Sequence, residues 1–133
     1  MHQLLLQKEI NPTLETIFAR QFAGAEHVKW TAVEDGVTKA TFTLAGIRTE
    51  AYYSPEGELL GTLRNLFYSQ LPLSVMQAVN NKFIGGVVIE IMEITNQEGT
   101  SYRVILEQKE RKYTTRINSL GEVMEKSWTR LKK

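Results

Sequence analysis

From residue 12 onward, apolar side chains fall at Leu14, Ile17, Phe18 and Phe22, the spacing of one face of a helix. Asn11-Pro12 supplies an N-cap and a first-turn proline, and Gly24 supplies a stop. The period then changes to two. Val28-Lys29-Trp30-Thr31-Ala32 alternates, Glu34-Asp35-Gly36 turns, and Thr38 to Leu44 alternates again with Ala40, Phe42 and Leu44 on one side. Ala45-Gly46 leads tightly into a strand from Ile47 to Tyr53, and Ser54-Pro55-Glu56-Gly57 turns into Glu58 to Leu66. Leu71-Pro72 opens a second helix with Val75, Val79 and Phe83 inward, ended by Gly85-Gly86. Val87 to Ile94 is too apolar to alternate cleanly, which predicts a bulge. Asn96-Gln97-Glu98-Gly99 then turns into Tyr102 to Leu106, Lys109 to Arg111 forms a charged hairpin, and Tyr113 to Ile117 is the next strand. Asn118-Ser119-Leu120-Gly121 turns into a last strand from Val123 to Trp128.

The second half of this pattern repeats the first. Leu14, Ile17, Phe18, Phe22 and Gly24 return at one fixed interval as Val75, Ala78, Val79, Phe83 and Gly85. At a slightly longer interval, Ala40, Phe42, Tyr53 and Gly57 meet Val104, Leu106, Ile117 and Gly121. An internal repeat fixes architecture before any single residue is interpreted. Short connections favour antiparallel neighbours. The expected fold is α+β: two tandem α-β-β-β-β repeats forming one antiparallel sheet with helices packed on one face. Residues 1–11 form an N-terminal extension, 12–66 the first repeat and 67–133 the second. Either half alone exposes a large fraction of its apolar surface and would be marginal, whereas a chain near 150 residues buries roughly 68–70% of its surface, so the 133 residues are expected to fold as one unit.

Composition narrows the function classes. With 42% hydrophobic and 23% charged residues, the chain is of globular type. Lys plus Arg number 16 against 15 Asp plus Glu, so no field of one sign recommends nucleic acid or anionic lipid as a partner. Cysteine is absent, which removes disulfides, thiolate metal sites and a cysteine nucleophile. No apolar run approaches the roughly 20 residues of a membrane helix. Around Leu4, Leu5 and Leu6 the start is also too short for a secretory leader, which needs about 7–15 apolar residues.

Catalytic groupings are hard to assemble. His2 and His27 are the only histidines; one lies in the N-terminal extension and the other at the edge of the first strand. Zinc wants three or four converging ligands. The dense carboxylates, Glu34-Asp35, Glu56 with Glu58, and Glu107 with Glu110, belong to turns and hairpin ends, and no serine has a histidine at triad spacing. Gly85-Gly86 precedes a strand rather than a helix, the wrong context for cradling phosphate. No cofactor and no metal are expected. The tail from Lys126 to Lys133 reads as a frayed, solvated end whose Trp128 packs on the last strand.

The order of elements resembles the PepSY-like, beta-lactamase-inhibitor-like proteins of Bacteroidetes-type bacteria. Their pattern stands here as Phe22, Val28-Lys29-Trp30, Ala40-Thr41-Phe42, Ala51-Tyr52-Tyr53, Gly57 and Leu71-Pro72, continued by Phe83, Tyr102-Arg103-Val104 and Asn118-Ser119-Leu120-Gly121. The match runs from about Pro12 to Met124. Two features depart from it: Ala23-Gly24 replaces a frequent proline, and the usual export signal is missing. The resemblance implies a periplasmic or exported domain. The inhibitor in the family's name refers to a shared fold, and fold does not fix function.

Trp30, Phe42 and Tyr53 alternate toward the helix side, so Tyr52 faces away from it. Lys39, Thr41, Arg48, Glu50 and Tyr52 are expected on that outer face in the first repeat, and Arg103, Glu107 and Arg116 in the second. Tyr and Arg commonly anchor interfaces. The chain is therefore expected to be a non-catalytic module that recognises a protein or peptide of the bacterial envelope through this face, as a monomer or weak dimer. One alternative is a ligand-binding or enzymatic cone of the nuclear-transport-factor-like type. Another is a self-associating module that pairs through edge strands near Val28 or Trp128.

Overall fold

Period-two alternation forces successive side chains to opposite faces of a strand, and a helix then covers the face that collects the apolar set. The computed structural model describes residues 12–131. The N-terminal extension, including the Asn11 cap and His2, and the last residues Lys132 and Lys133 lie outside the described residues. Eight strands stand in one antiparallel sheet in sequence order, β1 to β8. The chain divides into two compact units, Met1–Arg64 and Asn65–Lys133.

In the first unit, helix α1 (Pro12–Gln21) precedes β1 (Glu26–Ala32), β2 (Thr38–Leu44), β3 (Ile47–Tyr53) and β4 (Leu59–Asn65). Leu14, Phe18, Trp30, Ala40, Phe42, Ala51 and Tyr53 form its core. Phe18 is the hub, with ring centroids 5.3 Å from Trp30 and 4.9 Å from Phe42, both edge-on. Such pairs add about 0.5–1.5 kcal/mol each beyond area burial. Ala45-Gly46 closes the β2–β3 hairpin with both φ positive, 52° and 79°, the turn whose twist matches the strands it joins. β1 starts earlier than its alternation suggests. His27 (φ 56°) sits in a bulge between Glu26 and Lys29, which lets the strand reach back to Glu26.

The second unit carries helix α2 (Leu73–Lys82), then β5 (Val87–Asn96), β6 (Gly99–Gln108), β7 (Arg111–Asn118) and β8 (Val123–Arg130). Its core gathers Leu71, Val75, Ala78, Val79, Phe83, Ile91, Tyr102, Val104, Leu106 and Ile117. The anticipated irregularity in the apolar strand is a register shift between Val88 and Glu90. Lys109-Glu110 makes the β6–β7 turn with φ of 51° and 67°, although neither is Gly or Asn. The last strand overturns one expectation. Lys126 to Arg130 are not a frayed tail: they pair with β7 as far as Arg111↔Arg130, and Leu131 N donates to Glu110 O at 2.9 Å.

The two turns that follow β3 and β7 have the same construction. Gly57 N donates to Ser54 O at 2.9 Å, and Gly121 N donates to Asn118 O at 2.9 Å. Ser54 Oγ accepts from the amides of Glu56 and Glu58, as Asn118 Oδ1 does from those of Leu120 and Glu122. The glycine φ values are 87° and 88°. Among the described residues one helix precedes β1, unlike the several early helices of the cone alternative.

Candidate binding surface

Register decides which side chains share the face away from each helix. In the first unit Lys39 lies opposite Tyr52, Thr41 opposite Glu50 and Thr43 opposite Arg48. Lys39, Thr41, Arg48, Glu50 and Tyr52 therefore stand together on the side opposite the Phe42–Tyr53 core. Three of them form a network along β3. Glu50 Oε1 accepts from the Tyr52 hydroxyl at 2.9 Å, and its Oε2 lies 3.1 Å from Arg48 Nη2. Glu50 is buried, at 8% exposure, while the Arg48 side chain is 56% exposed. An exposed contact residue was expected at Glu50. Instead its carboxylate acts as a strut, because a near-buried charge is tolerated only when paired and hydrogen-bonded. Burial raises the Tyr52 pKa above its ordinary value, and its hydrogen bond to Glu50 and the carboxylate's charge push the same way, against Arg48.

In the second unit Arg103 lies directly opposite Arg116, Glu107 opposite Lys112, and Ile105 opposite Thr114. Arg103 Nη2 reaches the Met92 thioether at 3.5 Å, and Arg116 Nε donates to Ser101 Oγ at 2.9 Å. β8 brings Glu125 opposite Arg116 and Ser127 opposite Thr114. Arg103, Thr114, Arg116, Glu125 and Ser127 line an open dip of about 170 Å³. A second dip of about 180 Å³, at the β5–β6 hairpin end, is lined by Glu98, Thr100, Ser101, Arg116, Asn118 and Met124, among others. Sequence reasoning named Arg103, Glu107 and Arg116 but missed Ser101, Glu125 and Ser127. Glu125 and Ser127 fall within the strand expected from Val123 to Trp128, but neither is the Tyr or Arg that marks an interface anchor.

The remaining polar groups have structural work. Ser74 Oγ donates to Ser119 O, Ser119 Oγ to Thr100 O and Tyr53 OH to Gln21 Oε1 at 2.7 Å. Burial pushes the Tyr53 pKa up to about 12. His27 is exposed in its bulge. Among the described residues, no group of three or more His, Asp or Glu could hold a metal ion. Among them, too, no helix is long and apolar enough to cross a membrane.

No family model and no curated protein matches the chain. Solved structures do. A DUF2874 family protein from Bacteroides uniformis ATCC 8492 is similar with a TM-score of 0.79 at 15% identity, over 90% of this chain and 89% of that one. A BLIP-like protein from Bacteroides fragilis NCTC 9343 is similar with a TM-score of 0.77 at 17% identity, over 96% and 94%. A protein from Bacteroides eggerthii DSM 20697, described as a candidate periplasmic protein, gives 0.78 at 17% identity over 89% and 88%. At these identities the likeness is one of fold, an α+β arrangement shared with BLIP-like and DUF2874 proteins.

Proposed function

We propose that this chain is a non-catalytic binding module of the bacterial envelope, built from two copies of one PepSY-like unit, that recognises a protein or peptide through the strand face turned from its helices. One observation carries the reading: long side chains on this face are already fixed by their own bonds. Arg48, Glu50 and Tyr52 brace one another, and Arg116 is held by Ser101. A surface whose Arg and Tyr side chains are ordered before contact loses less rotamer freedom on binding, which costs about 0.5–1.5 kcal/mol per side chain otherwise. The likeness to a candidate periplasmic protein and to a BLIP-like protein supports the compartment and the class.

The test is affinity capture from an envelope extract with the intact chain as bait. Thr114→Trp fills the dip from an exposed position, and Lys39→Glu reverses charge on the first unit's face. At least one of them should abolish capture without lowering the melting temperature. Undiminished capture by both variants contradicts the assignment of this face.

A further inference from the structure

We propose that Arg103 and Arg116 form a two-arginine anchor for an aspartate or glutamate side chain on an extended segment of the partner; this rests on the binding-module reading above. The two arginines are direct cross-strand partners on one face and line one dip. Like charges placed directly opposite in a sheet are destabilising unless something compensates them. Inside the chain the compensation is thin. Arg103 bonds to a methionine sulfur, a weak acceptor, and Arg116 to a serine hydroxyl through Nε. Glu125 lies opposite Arg116 and lines the same dip, yet the two form no ion pair. Arg116 keeps both Nη atoms, and Arg103 its Nη1, without a partner among the described residues, and a guanidinium fork matches a carboxylate bidentately.

The surroundings select a single carboxylate over a polyanion. Glu90, Glu107 and Glu125 share this face and would repel a continuous phosphate backbone. Phosphate sites also draw on free backbone amides at helix N-termini or nests, whereas this floor is made of strands paired to their neighbours. Ser127 and Thr114 place hydroxyls beside the arginines, suited to the polar backbone of an extended segment.

The probe is a fluorescein-labelled peptide of alternating Glu and Ser, with a Gln-for-Glu counterpart, titrated against the full chain by fluorescence anisotropy. The Glu peptide should bind, the Gln peptide should not, and the interaction should weaken with salt. Each of Arg103→Gln and Arg116→Gln should weaken binding about tenfold, the loss of one charge-assisted contact. Glu125→Gln should tighten it by removing the competing carboxylate. Arg103 carries no structural bond beyond the thioether contact, so R103Q keeps the test open should R116Q fold poorly. No binding of the Glu peptide at millimolar concentration overturns the anchor, as does full affinity in the arginine variants, or displacement by equimolar inorganic phosphate. If those variants keep envelope capture while Thr114→Trp loses it, the anchor is wrong and the binding face stands. If Thr114→Trp and Lys39→Glu both keep it, the face itself is wrong.

Discussion

Two glycines at matching turns should respond differently to the same substitution. Gly57 and Gly121 have φ of 87° and 88°, so alanine at either position enters the left-handed region, at about 1–2 kcal/mol. Their surroundings differ. A Cβ at Gly57 would meet Ile17 Cδ1 at 3.5 Å, ordinary contact with the flexible end of a side chain. At Gly121 it would lie 2.7 Å from Ser74 O and 3.3 Å from Ser74 C, which is backbone in the first turn of α2. That carbonyl cannot step aside without shifting the helix, and Ser74 Oγ also donates to Ser119 O across the same contact. Overpacking of this kind costs roughly 1–3 kcal/mol more. Gly57→Ala should therefore destabilise by about 1–2 kcal/mol and Gly121→Ala by about 2–5 kcal/mol. Urea unfolding with linear extrapolation measures both. An equal or larger loss for Gly57→Ala would refute the claim that close approach of α2 to this turn, rather than φ alone, sets the cost.

Phe42 is 1% exposed and packs edge-on against Phe18, so Phe42→Ala should cost about 3–5 kcal/mol in the same assay. Tyr53 has its pKa raised to about 12 in the fold. The unfolded chain therefore loses this proton first, and the stability from the neutral phenol, complete below pH of about 10, declines as pH rises through 12. Tyr53→Phe should lose about 1 kcal/mol at neutral pH, with the Gln21 bond gone, and should flatten this alkaline decline in pH-dependent melts. Glu50→Gln removes the carboxylate that helps hold the Tyr52 pKa up, so ultraviolet titration of tyrosinate should show one tyrosine ionising at lower pH than in the parent. An unmoved titration would contradict the Arg48–Glu50–Tyr52 network.

What was legible in the sequence was whatever alternation alone determines. Ala40, Phe42 and Tyr53, and likewise Val104, Leu106 and Ile117, are at most 1% exposed because period two leaves them no other face. Positions where backbone conformation departs from residue type stayed hidden: His27, Ala45, Lys109 and Glu110 adopt positive φ without being glycine. Strand pairing imposes these conformations, and local propensity does not announce them. Burial of Glu50 was hidden for a different reason. It depends on Arg48 and Tyr52 bonding to its carboxylate, and alternation says which face a residue takes, not how neighbours cover it. The same holds for Ser101, whose bond to Arg116 joins neighbouring strands. β8 was shortened because its charged residues resemble a solvated tail, although pairing with β7 requires only backbone.

The most direct test of the binding face is site-specific photo-crosslinking in an envelope extract. A photoreactive residue would stand at Thr114, beside the arginine dip, or at Gln77, exposed on α2. A discrete adduct at Thr114 that is absent at Gln77 is the expected result. An adduct confined to Gln77, or none at Thr114, would contradict recognition through the strand face.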